Sequence, residues 1–159
     1  MSTVFPAPDH DHKRCSTDAL RRAEALCDQR AQRLTPTRRQ VLEVLLSSHK
    51  PLGAYEIIDR AAAQDGPRHA PITVYRALDF LMEHGLAHRI ESRNAFIGCV
   101  HRHASDDLVV FLICERCDEV GEAPSAQVAD SLKNATKAAG FTLKAPVIEI
   151  TGICAHCRA

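Results

Sequence analysis

The chain reads as an α+β protein: an N-terminal winged-helix DNA-binding domain followed by a small C-terminal α/β dimerisation domain stapled by a four-cysteine zinc site. Three features of the sequence predict this. Cys114 and Cys117 form one Cys-x-x-Cys pair and Cys154 and Cys157 a second, the ligand pattern of a closed tetrahedral zinc site. Upstream, a succession of helical patterns runs into two short strand patterns, the order of a winged helix. Between the cysteine pairs, strand and helix signals alternate over a span too short for an unaided core. The expected division is a flexible tail over 1–17, a winged-helix domain over 18–98, a hinge and metal-binding loop over 99–107 and the α/β domain over 108–159.

Composition narrows the class. The 159 residues carry no net formal charge and no Trp, so global charge does not announce a polyanionic partner. The local run Arg30, Arg33, Arg38 and Arg39 is a better reason to expect phosphate contact. Seven cysteines are an odd number. With no signal peptide and no apolar run near membrane-spanning length, this predicts a reduced, cytoplasmic, metal-binding protein with no membrane partner.

Taken in order, Asp18 can cap a first helix reaching about Gln32, its apolar stripe made by Ala19, Leu20, Ala23, Leu26 and Cys27. Cys27 on that stripe is a small core residue, and Cys15 lies idle in the tail. Thr35-Pro36 signals a helix start, with Thr as N-cap and Pro at the first helical position. That helix buries Val41, Leu42, Leu45 and Leu46 and carries Arg38 and Arg39 in its polar first turns. A third short helix spans 54–63. A fourth, 71–83, puts Val74, Leu78 and Leu81 on one face and leaves Ile72, Thr73, Tyr75, Arg76 and Asp79 outside it. Arginine can donate a fork to guanine, and tyrosine can pack on a thymine methyl or meet a phosphate. A half-buried surface Tyr is the plainer reading of the same helix. The helix–hairpin order that follows favours a groove-reading role.

Gly85 ends this helix, and 86–90 with 94–99 make the two strands of a wing. Beyond the polar loop 100–107, Leu108–Ile113 is a β-run whose apolar excess suggests a dimer interface. A helix over about 126–139 is ended by Gly140. Strands are then expected at 141–144 and 147–150.

The four thiols leave no open coordination position, so the site is structural rather than catalytic. A second group of ligand-type residues comprises His88, Cys99, His101, His103, Asp106, Asp107 and Glu122. Each alone is more often an ordinary surface residue. Together they offer mixed nitrogen, sulfur and oxygen donors between the two domains, where a metal would set their angle. A thiolate in such a set favours zinc over Mn(II) or Fe(II). No catalytic constellation emerges, so no small-molecule substrate other than a metal ion is expected.

The stretches Arg33-Leu34-Thr35-Pro36-Thr37-Arg38, Thr73-Val74-Tyr75-Arg76-Ala77-Leu78-Asp79-Phe80-Leu81, Phe111-Leu112-Ile113-Cys114-x-x-Cys117 and Gly152-Ile153-Cys154-x-x-Cys157 resemble the ferric uptake regulator (Fur) family, and within it the zinc-responsive branch. The likeness runs from about residue 18 to 157. It implies a homodimeric repressor that binds AT-rich inverted-repeat operators of zinc-uptake genes when zinc-loaded. It also implies two zinc ions per protomer. The structural ion falls to Cys114, Cys117, Cys154 and Cys157. The regulatory ion falls to His88, Cys99 and Glu122, with Asp107 as fourth ligand on ungapped spacing and His103, then His101, as alternatives. Tyr75 and Arg76 take the base contacts, with Thr73 and Arg38 as further DNA-contact candidates. Asp118 stands where the family has Gly after the first pair, and the His-rich tail is missing. The rivals are an iron-, manganese- or peroxide-responsive regulator of the same family and, from another class, a zinc-dependent hydrolase.

Overall fold

The computed structural model describes residues 4–65, 68–101, 108–144 and 146–158. The chain forms two compact units, Asp9–Arg102 and a second made of Met1–Pro8 with His103–Ala159.

The first unit holds α1 (His12–Gln29), α2 (Pro36–Leu46), α3 (Ala54–Asp65), α4 (Pro71–Glu83) and the antiparallel pair β1 (Ala87–Ile90) and β2 (Ala95–Gly98). Here α1 begins seven residues before the expected start. Asp11, not Asp18, is its N-cap, its carboxylate accepting from the Arg14 N–H at 3.0 Å. Asp18 sits about two turns further in, 4.0 Å from Arg14. Two carboxylates can cap this segment, and the earlier one takes the role because 12–17 has nothing to break a helix. The Thr35 cap forms as expected, with its hydroxyl accepting from the Arg38 N–H and Pro36 at the first position.

The core is the meeting of the four helices. Ala19, Ala23 and Cys27 of α1 face Val41, Leu42 and Leu45 of α2, with Ile57, Ile58, Val74, Leu78 and Leu81 filling the rest. Full burial of each large aliphatic side chain contributes about 1.5–3 kcal/mol. Cys27 is thus a core residue, and burial pushes its thiol pKa up. Gly98 lets β2 lie close on α2, since a Cβ there would come within 2.7 Å of Leu46 Cδ2. Leu52 exchanges two 2.8 Å backbone hydrogen bonds with Phe96, tying the loop after α2 to the wing.

The second unit holds β3 (Val109–Cys114), β4 (Val120–Pro124), α5 (Ala126–Ala138), β5 (Ile148–Gly152) and α6 (Ala155–Arg158). The sheet order is β4-β3-β5, antiparallel on one side of β3 and parallel on the other. Residues 141–144, expected as a strand, form none. The place beside β3 is taken by β4, because the first cysteine knuckle turns the chain straight back, with Asp118 in the left-handed region at φ 60°. The segment 4–8 belongs to this unit, and Val4 lies so close that a Cβ on Gly121 would be 2.5 Å from it.

A second expectation also changes. The apolar run 108–113 is largely buried within the chain itself. The exposed apolar side chains of this unit include instead Phe141 (65 %), Val147 (56 %) and Ile150 (51 %), with Val128 and Ile153 less so, and α5 buries no residue among those described.

Candidate metal centre and nucleic-acid interface

The thiols come together because two strands deliver them to one end of the sheet. Cys114 is the last residue of β3, paired with Gly152 at the end of β5, and the Glu115 N–H donates to the Gly152 carbonyl at 2.8 Å. That register sets the first knuckle beside the second, where Cys154 precedes α6 and Cys157 lies on it. All four Sγ atoms lie within 4.8 Å of one another, and Cys117 and Cys154 are 3.9 Å apart. In a tetrahedral zinc–thiolate site the sulfurs are about 3.8 Å apart. All seven cysteines are among the described residues and none forms a disulfide. The donor set therefore fits zinc and could hold it.

Electrostatics agree. The Cys154 N–H donates to Cys114 Sγ at 3.4 Å, and this bond with the Cys117 N–H brings the Cys114 pKa down to about 6. Hydrogen bonding to Cys154 and then burial push Cys157 up to about 12, and burial raises Cys117. The thiols cannot all ionise side by side. A dication at their centre supplies the missing charge. Arg116 donates from Nη1 to the Cys157 carbonyl and clips the two knuckles together.

Of the second ligand group, His88 lies on β1 and Cys99 directly follows β2. The antiparallel register brings their ligand atoms within 4.8 Å. The Cys99 N–H bonds the Leu86 carbonyl at 2.9 Å, and its thiol reaches the His101 carbonyl at 3.1 Å. Glu122 belongs to the other unit, buried at 4 % exposure on β4 opposite Phe111. Asp107, Asp106 and His103 lie outside the described residues. The structure also gathers His10, His12 and His49, a set the sequence reading missed. The His-x-His spacing was its only local signal, since His49 lies 37 residues beyond His12.

On α4, Val74, Ala77, Leu78, Phe80 and Leu81 face the core, while Tyr75 (42 % exposed) and Arg76 face solvent with Thr73 half-buried. Gln40 holds the approach to this helix, donating to the Ala61 carbonyl at 2.9 Å while its own carbonyl lies 2.7 Å from His69 Nε2. Of the arginine cluster, Arg39 is committed to Glu24 and Glu43. Arg38 stacks its guanidinium 3.7 Å from the Phe80 ring centroid and donates to the Arg33 carbonyl at 2.7 Å.

A four-helix unit with a wing and an exposed Tyr-Arg pair, followed by a thiol-knuckled α/β unit, defines a class of winged-helix proteins carrying a structural metal site. The chain belongs to the ferric uptake regulator family, whose model matches residues 29–151. It is 37 % identical over 145 residues to the zinc uptake regulation protein of Escherichia coli (strain K12), covering 91 % of this chain and 84 % of that one. Its fold is similar to a zinc uptake regulator complexed with zinc and DNA, at a TM-score of 0.83 and 36 % identity, over 90 % of this chain and 95 % of the other. It is also similar to holo XcZur, at a TM-score of 0.79 and 42 % identity, over 87 % and 96 %. The family is one of regulators. No helix among the described residues is long and apolar enough to cross a membrane.

Proposed function

We propose that this protein is a zinc-responsive transcriptional repressor that binds AT-rich inverted-repeat operators of zinc-uptake genes when zinc-loaded. The observation that carries the reading is α4. One face is sunk into the core and the other offers Tyr75 and Arg76 to solvent beside a wing, the arrangement of a helix that enters a major groove. The similarity to a zinc uptake regulator solved with zinc and DNA supports it. Thr73 and Arg38 complete the proposed DNA contacts. The winged-helix domain expected over 18–98 also takes in the whole of α1 from His12, and 99–107 is assigned as hinge and metal-binding loop.

Two zinc ions per protomer are assigned. The first sits in the four thiolates and holds 108–159 together, since such a site and its fold form at once. The second is the signal, bound by His88, Cys99 and Glu122 with Asp107 as fourth ligand, or His103 in its place. Imidazole with thiolate favours zinc over iron or manganese. The exposed Val128, Phe141, Val147 and Ile150 are the surface a second copy covers, which makes the working form a homodimer in the cytoplasm. Four thiolates leave no open position, so that site is structural rather than catalytic, and membership of a family of regulators supports a regulator over a hydrolase.

The test is DNA binding to an AT-rich inverted repeat at buffered free Zn, Fe and Mn, with metal counted per protomer. Tight binding should appear as the second of the two assigned zinc ions fills, and Cys99→Ser should abolish that response while leaving the four-thiolate zinc in place. Binding that follows Fe or Mn, or ignores metal, would overturn the reading.

A further inference from the structure

The first unit contains a second cluster of metal-ligand side chains that the zinc chemistry above does not use. His10 and His12 flank the N-cap of α1, and His49 lies in the bend after α2. Their ring nitrogens form a closed triangle. His12 Nδ1 is 3.4 Å from His10 Nε2 and 3.2 Å from His49 Nε2, and the last two are 3.1 Å apart. The rings meet edge-on or tilted rather than stacked. His49 is only 9 % exposed, and it is Nδ1 of His12 that faces the other two imidazoles, while its Nε2 is buried with no partner among the described residues.

Protons alone cannot satisfy such a triangle. An imidazole nitrogen either carries a hydrogen and donates, or carries a lone pair and accepts; it does not do both. Whatever tautomers are chosen, at least one of the three edges sets donor against donor or acceptor against acceptor. A cation at the centre takes one lone pair from each ring and relieves all three edges together. The spacing suits one: imidazole nitrogens about 2.0–2.1 Å from a tetrahedral ion are about 3.3 Å apart.

We propose that His10, His12 and His49 form a further metal site, taking a divalent late transition metal, in the first instance Zn2+, with a fourth position left for water. Imidazole donors alone suit zinc, copper or nickel rather than magnesium or calcium. The site is independent of both the four thiolates and the His88 and Cys99 set. Bound metal ties the chain around the start of α1 to the bend after α2, across 37 to 39 residues.

The test uses the full chain, titrated with Zn2+ at buffered free concentrations and with Co2+ as a spectroscopic probe. His10→Gln/His12→Gln is the primary variant, because it alters the edge of the unit and leaves the helical core intact. His49→Gln is the second. The variants should bind one zinc fewer per protomer than the wild type, or bind that equivalent at least about tenfold more weakly. They should also lose a visible cobalt band that lacks thiolate charge transfer while keeping the thiolate bands. Zinc should slow amide exchange around residues 10–15 in the wild type alone. Equal zinc counts and affinities in wild type and double variant, with an unchanged cobalt spectrum, would overturn the site, whatever the outcome of the DNA-binding experiment.

Discussion

The two compact units are held together by different physics. In residues 9–102, helices α1 to α4 enclose their own apolar core, and Leu42, Leu45, Ile57, Ile58, Leu78 and Leu81 are all but completely buried. The C-terminal unit covers one strand well, but α5 buries nothing and Phe141, Val147 and Ile150 stand in solvent. A sheet of three strands with a helix that buries none of its residues lacks the apolar burial to offset its ordering entropy. The zinc proposed for the four thiols, and the second copy proposed to cover the apolar surface, would supply what it lacks. The comparison separates a part whose own burial accounts for its fold from a part whose fold calls for the proposed coordination and assembly.

Removing the zinc is the strongest way to break that comparison. Structural zinc contributes about 10–16 kcal/mol of apparent folding free energy in small metal-folded modules. Cys114→Ser, or a strong chelator, should therefore melt β3 to α6 while α1 to α4 keep their exchange protection. Hydrogen exchange resolved by peptide reads both units in one experiment. Simultaneous loss in both would show that the first unit leans on the second and end the distinction. The converse cut is Leu81→Ala, which should destabilise the winged-helix unit by about 2–5 kcal/mol and leave zinc content per protomer unchanged. Calorimetry with metal analysis checks it.

What the sequence disclosed follows the same division. Cys-x-x-Cys is a local instruction, because two residues of spacing decide which sulfurs share an ion, and it identified the thiolate cluster directly. The α2 start was as legible, since Thr35 and Pro36 act within one turn. The face of α4 was readable because 3.6-residue periodicity needs no partner. Failures came where the outcome depended on competition or on distance. Asp11 and Asp18 both look like caps, and only the helical competence of 12–17 decides between them. Residues 141–144 read as a strand and 120–124 do not, yet it is 120–124 that pairs with β3, because the knuckle folds the chain straight back beside it. His49 meets His10 and His12 through tertiary packing alone. Arg38 reads as a phosphate ligand from its neighbours in sequence, but that its guanidinium also lies over Phe80, 42 residues on, depends on tertiary packing.

A finer cut concerns what the first unit holds back from its own stability. Arg76 faces solvent and takes no part in the core. Arg76→Ala should leave thermal stability within about 0.5 kcal/mol and weaken binding to a specific operator by about 1–3 kcal/mol, roughly ten- to a hundredfold. Fluorescence anisotropy at fixed salt measures it. An unchanged affinity would remove α4 from the groove.

The smallest expected effect discriminates most sharply, because Arg38 belongs to both lists. Its guanidinium lies over Phe80 and reaches the Arg33 carbonyl, so it braces the start of α2 against α4. It is also a proposed DNA contact. A half-exposed cation–π pair is worth about 0.5–1 kcal/mol. Arg38→Lys keeps the charge but gives up the flat stacking surface and the forked donor. If Arg38 acts on DNA as a charge, the Lys variant should bind operator nearly as well as the wild type and keep the same salt dependence, while thermal stability falls by that small amount. Arg38→Ala should lose the same stability and also flatten the salt slope by about one ion. Should both variants lower stability equally and leave the salt slope untouched, Arg38 is a brace for the recognition helix and not a DNA ligand.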